Sequence, residues 1–323
     1  MSNLPVHLPP PQRLTPLPAV SLPEAFLCGG LAGCAAVTVS NIPEVMKTRL
    51  QLQGELMKTS DAQKVYKNVF DVFRKTWANE GLRGLQRGLG PAYAYQVSPP
   101  RDPTGTPLTV SSRILRTDQE TTEQTGVVQP FRPVATLGNP LFLIKARMQA
   151  YSPALPVGAQ HNYRSSIHAL SEVVKNEGKL GLVRGVGSAM LRTAMGSSVQ
   201  LPSYNYAKRV LMVNGYTAEN SYWTYLASSS FSGICVCLVM QPADTALTRV
   251  YNQPTITGPD GRTRGALYSN PFDCLWKTLK TEGFFGWYKG TTAHFLRIVP
   301  HTVITLVANE LILEQYKKWK HEQ

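Results

Sequence analysis

Apolar positions gather into long stretches rich in small residues, and basic connectors separate them. Trp223 to Met240 carries no charge, close to the ~20 apolar residues a bilayer crossing needs. Ala25 to Pro43 is also uncharged. Either could be a buried core helix when taken alone; together they are candidate membrane helices. Gly29 and Gly33, and Ser229 and Gly233, have the small-xxx-small spacing that lets such helices approach closely. Between the apolar stretches, Val69, Val72, Phe73 and Trp77 recur at helical spacing and predict a surface helix over Tyr66 to Trp77. Gly81 and Gly178 are placed to end such helices.

The pattern repeats. Asn41-Ile-Pro43-Glu44-Val-Met-Lys47-Thr-Arg49-Leu-Gln51 returns as Asn139-Pro140-Leu-Phe142-Leu-Ile-Lys145-Ala-Arg147-Met-Gln149, then as Gln241-Pro242-Ala-Asp244-Thr-Ala-Leu247-Thr-Arg249. A second pattern follows each: Glu80-Gly81 to Arg87-Gly88, Glu177-Gly178 to Arg184-Gly185, and Glu282-Gly283 to Lys289-Gly290. Two patterns in the same order at the same period define three tandem units of roughly 100 residues. Each reads as a membrane helix, a Pro-acid-base motif, a surface helix, a Glu-Gly turn and a second membrane helix.

Proline removes one hydrogen bond from a helix and kinks it, so Pro43, Pro140 and Pro242 could bring three helices together at one end of a cavity. An acid and a base three residues apart share a helical face, and in a ring of three the acid of one helix can reach the base of the next. Intramembrane charges are costly enough to be functional by default.

These residues resemble the signature of the mitochondrial carrier family, over roughly residues 22–97 and 138–318. The stretch Leu191 to Pro202 and the step Thr248 to Gln253 look like the family's fungal oxaloacetate-carrier group. The resemblance implies an all-α membrane protein with nominally six transmembrane helices in the mitochondrial inner membrane. It would move oxaloacetate or a related small anion by alternating access and antiport. In the family the motif ring is a matrix-side gate. By its pairing order Glu44 meets Lys145, Asp244 meets Lys47, and the third pair is Phe142 with Leu247, so both partners of one bridge are apolar. In the first unit proline directly precedes the acid instead of standing two residues before it. Family contacts to substrate come from the even-numbered helices of the six, which gives Tyr95 with its neighbour Gln96, then Arg192 with Thr193, and Arg297. Two guanidinium forks suit a dicarboxylate. Asn205, Lys208 and Glu310 are the remnants of a cytoplasmic gate.

The net charge of +13 calls for an anionic partner. Nucleic acid fits poorly, since no aromatic–basic patch forms; a small anion and anionic lipid such as cardiolipin fit, with a monomer as the working unit. Cys28, Cys34, Cys235, Cys237 and Cys274 show no metal or disulfide spacing. No nucleophile–base, metal or nucleotide-loop constellation appears and His161, His294 and His301 stand apart, which argues against an enzyme and against a cofactor. The first 21 residues form a proline-rich arm with no signal-peptide pattern.

One interval breaks the pattern. Residues 98–137 contain Pro99, Pro100, Pro103 and Pro107 among many charges, where helix two and the start of helix three belong. No apolar span of ~20 residues exists there. The segment reads as an aberrant polar insert, such as a translated intron, between a truncated first unit (22–97) and a second lacking its start (138–215). The third unit, 216–319, is whole. A chain with these residues is expected to transport poorly. The rival readings are a carrier of another dicarboxylate, sulfate or phosphate, and a transport-dead, membrane-associated scaffold.

Overall fold

The computed structural model describes residues 22–57, 65–97, 132–215, 222–258 and 263–322. The proline-rich arm 1–21 and residues 98–131 of the polar insert lie outside them. The described chain is nearly all helix: α1 (Leu22–Leu52), α2 (Val69–Leu85), α3 (Leu89–Val97), α4 (Arg132–Ala150), α5 (Ser166–Glu177), α6 (Val186–Val213), α7 (Tyr222–Asn252), α8 (Pro271–Glu282) and α9 (Thr291–Glu322). A two-stranded antiparallel hairpin, β1 (Thr255–Thr257) with β2 (Thr263–Gly265), follows α7. Trp223–Asn252 and Phe284–Lys320 are long and apolar enough to cross a membrane.

Helix α1 lies along α9, α6 lies along α7, and the short α3 packs against both α1 and α4. Helix α4 touches α6 and α7, so the long helices close into a ring. Pro43, Pro140 and Pro242 lie inside α1, α4 and α7. Helix α4 begins at Arg132, so residues 132–137 are helical and not part of an irregular insert. Pro133 stands in the first turn, where the missing N–H has no intrahelical partner to lose.

The three surface helices start alike. Asn68, Ser165 and Asn270 accept hydrogen bonds from the backbone N–H of Asp71, His168 and Asp273 at 2.9, 3.1 and 2.8 Å, the N-cap arrangement. They also turn alike: Gly81, Gly178 and Gly283 follow the repeated glutamate with φ of 63°, 73° and 77°, a region open to glycine at little cost. Three residues on, a Cβ at Gly84, Gly181 or Gly286 would stand 2.3, 2.5 or 2.8 Å from that glutamate's own Cβ.

That close approach seats each glutamate in a basic clamp. Arg49 pairs with Glu80 at 2.8 Å, Arg147 with Glu177 at 2.6 Å and Arg249 with Glu282 at 2.6 Å, all nearly fully buried. Arg87, Arg184 and Lys289 approach the same carboxylates from the other side at 3.3, 2.7 and 2.6 Å. Each motif arginine also donates to a backbone carbonyl of the next unit: Arg49 to Tyr151 at 3.0 Å, Arg147 to Tyr251 at 3.0 Å and Arg249 to Gln51 at 3.2 Å. The three units are thereby tied head to tail into a closed belt.

Of the four residues at helical spacing on α2, Val69 and Val72 are buried, while Phe73 and Trp77 are exposed and stack on each other at 6.1 Å. The buried face of α2 is Val69, Val72 and Thr76, and the aromatics face outward as Phe272 and Trp276 do on α8. In α7 the packing stripe is Thr224, Ser228 and Ser232, one residue out of register with Ser229 and Gly233. Ser232 donates to the Gln200 carbonyl of α6 at 2.8 Å, so a hydroxyl, not a glycine, sets that approach. Gly33 does face a neighbour, with a Cβ there 3.2 Å from Gln96.

Candidate functional site

The ring encloses a cavity of about 200 Å³. Glu44, Lys47, Phe142, Lys145, Asp244 and Leu247 all line it, and so do Tyr95, Arg192, Thr193 and Arg297. The motif residues come from α1, α4 and α7, the others from α3, α6 and α9.

Glu44 Oε2 lies 2.7 Å from Lys145 Nζ, and Lys47 forms an ion pair with Asp244. Each acid also faces an arginine. Arg192 Nε donates to Asp244 Oδ1 at 2.7 Å. Arg297 Nη1 stands 3.8 Å from Glu44 Oε1, beyond a hydrogen bond, and its buried Nε has no hydrogen-bond partner among the described residues. Two sets of three result: Lys145–Glu44–Arg297 and Lys47–Asp244–Arg192. In the third set Tyr95 packs on Phe142 with ring centroids 4.3 Å apart. Phe142 and Leu247 lie against one small core of Leu143, Val173 and Tyr251.

The same threefold order extends below the cavity through residues the motif reading had not assigned. Gln51 Nε2 donates to Asp244 Oδ2 at 3.3 Å, Gln149 Nε2 to Asn41 Oδ1 at 3.0 Å, and Tyr251 Oη to Asn139 Oδ1 at 2.6 Å. The signal was present, since all three stand four residues after a motif base position, and Tyr251 holds the place of a glutamine. His294, read as isolated, is buried with Nδ1 2.9 Å from Gln241 Oε1.

Other candidates are not drawn in. Gln96 Nε2 turns to the Gly33 carbonyl of α1 at 3.4 Å. Asn205 is exposed on α6, and Lys208 sits over the Tyr225 ring at 5.5 Å. Glu310 belongs to α9, with its side chain outside the described set. Thr193 lines the cavity with its hydroxyl donating to the Ala189 carbonyl at 2.8 Å. No group of three His, Cys, Asp or Glu residues among those described could hold a metal ion.

In the clamps below, burial alone would raise the Glu282 carboxyl. Hydrogen bonds and charge from Arg249 and Lys289 overcome it and hold the group below the ordinary carboxylate value. Glu80 is held low in the same way by Arg49 and Ser152.

The mitochondrial carrier protein family model matches residues 18–98, 134–215 and 218–320, leaving out most of the proline-rich interval. A relative from Aspergillus niger, named mitochondrial citrate transporter E, is 45% identical over 294 residues, covering 87% of this chain and 90% of its own. The mitochondrial oxaloacetate transport protein of Schizosaccharomyces pombe is 41% identical over 339 residues, covering 97% of each chain. Its namesake from Saccharomyces cerevisiae is 41% identical over 296 residues, with 88% and 87% covered. With three matched units, three repeated acid–arginine clamps and one shared cavity, this chain belongs to the mitochondrial carrier family: it is a multi-pass transporter of the mitochondrial inner membrane and not an enzyme.

Proposed function

We propose that the chain carries small dicarboxylates, oxaloacetate or a close analogue, and that the motif collar is its matrix gate. The observation that carries this reading is the sharing of each gate acid between a lysine and an arginine. The two lysines hold the collar shut. The two arginines are held by Asp244 and, more loosely, by Glu44 until a substrate arrives. A substrate with two carboxylates can take both guanidinium groups at once, since the planar fork matches a carboxylate. Asp244 and Glu44 are then left with one cation each, and the energy of binding the ligand offsets the cost of parting those last pairs when the collar opens. A pair broken without such compensation strands a charge at about 3–5 kcal/mol. The ligand therefore acts by binding the opened state better than the closed one. Pro43, Pro140 and Pro242, each one hydrogen bond short, are the places where α1, α4 and α7 bend as the collar parts.

Anionic lipid, cardiolipin in this membrane, is the proposed partner of the basic outer surface, and a monomer the transporting unit. The net charge of +13 and the outward Phe73, Trp77, Phe272 and Trp276 support contact with headgroups. The test is uptake of oxaloacetate into liposomes, with Arg192→Gln beside the unaltered chain. The variant should lose at least about tenfold in uptake at equal protein level, an effect of about 1.4 kcal/mol or more; unchanged uptake removes Arg192 from the site. The same assay includes a chain in which residues 98–131 are replaced by two apolar helical halves. We expect that chain to be the faster one, because α3 spans only about 14 Å at the helical rise, against about 30 Å of hydrocarbon.

A further inference from the structure

The geometry points to Tyr95, Phe142 and Leu247 as the residues that restrict the cavity to doubly charged anions and reject a third carboxylate. The inference rests on the dicarboxylate reading above and adds to it the cause of the selectivity.

The cavity is three equivalent sectors, each built from a motif acid position, a motif base position on the next unit and a residue of α3, α6 or α9. Two sectors are ionic, Lys145–Glu44–Arg297 and Lys47–Asp244–Arg192. In the third, all three members have changed together, so that a phenol, a phenyl ring and an isobutyl group stand where an arginine, an acid and a lysine would stand. Losing the acid and base alone would have sufficed to avoid a stranded charge. The additional absence of the arginine removes the one cation that would remain in that sector to pair with a carboxylate.

Charge balance leads to the same place. Among the described lining residues, Lys47, Lys145, Arg192 and Arg297 face only Glu44 and Asp244, an excess of two positive charges. A dianion neutralises it. A trianion would leave one carboxylate over, pressed against the Tyr95–Phe142–Leu247 wall. The nearby polar side chains are already engaged: Asn139 holds the Leu182 and Arg184 carbonyls and accepts from Tyr251, and Gln149 is bound to Asn41. A carboxylate taken from water to such a surface without a cation pays a large desolvation cost.

The experiment is ligand-induced thermal stabilisation of the full purified chain in detergent at neutral pH, which needs binding but no transport cycle. The ligands are oxaloacetate, citrate, sulfate and phosphate at equal concentration. The unaltered chain should be stabilised more by oxaloacetate than by citrate. Leu247→Lys and, independently, Tyr95→Lys should each move the citrate-to-oxaloacetate affinity ratio about tenfold toward citrate. Citrate equal to or better than oxaloacetate in the unaltered chain overturns the inference even if neither variant folds. A ratio unmoved in both folded variants overturns it as well. Stabilisation by none of the four anions sinks the anion-site reading itself, a different outcome from losing selectivity alone.

Discussion

Phe142 and Leu247 occupy the acid and base positions of one sector, and their consequences can be argued side chain by side chain. Replacing both members of a buried ion pair by apolar groups is close to neutral, whereas losing one strands a charge. Phe142→Asp alone should therefore lower heat stability by about 3–5 kcal/mol and impair uptake, because no cation stands at position 247. Adding Leu247→Lys should restore both. Full stability and uptake in the single variant would refute the pairing. At this scale the sequence was informative for side chains that repeat. The periodic motif located Glu44, Lys145 and Asp244, the family resemblance added Arg192, and the structure sets all four in one cavity. It was silent on Arg192 meeting Asp244, because that contact joins helices 52 residues apart with no shared pattern. Tyr251 escaped notice for the opposite reason: it departs from the glutamine that marks its position in the other two units.

At the scale of elements, the surface helices were legible in their starts and stops, because caps and positive-φ glycines are local chemistry. Their facing was less so. An apolar residue on a helix at a membrane surface can satisfy lipid as well as core, so Phe73 and Trp77 fit the core periodicity and yet point outward. The α7 stripe was misread by one residue because Ser228 and Ser232 have the same small-residue spacing as Ser229 and Gly233. The clamps that join these helices to the long ones carry a prediction. Arg249→Ala leaves Glu282 buried without its main partner and should cost about 3–5 kcal/mol of stability, measured by thermal unfolding in detergent. Glu282 and Glu80 have folded-state values depressed below the 4.5 of a free glutamate. Their stabilising contribution is thus complete above that pH and is lost as the pH falls through their lower folded values. The melting temperature of the unaltered chain should accordingly hold steady in neutral and mildly acid buffer and drop only in the more acid range. A steep decline already at pH values well above the free-glutamate value would contradict the clamp account.

For the whole molecule, threefold repetition made the fold readable from a chain whose average composition looks soluble, with a mean hydropathy of −0.15. Every unit repeats the same acid–arginine clamp, and the arginines link each unit to the next, so one correct unit specifies the ring. What repetition could not supply is the interval from 98 to 131, which has no counterpart in the other units, and the coupling between cavity arginines and gate acids. The ion pairing of the collar is the centre of the account, and a double-mutant cycle at Glu44 and Lys145 measures it without requiring transport. Glu44→Gln, Lys145→Gln and the double variant would be compared with the unaltered chain by thermal unfolding in detergent. The collar predicts a coupling energy of about 1–3 kcal/mol, with the double variant better than the sum of the singles. Effects that add to within about 0.5 kcal/mol would show that the two charges do not hold each other and would contradict it.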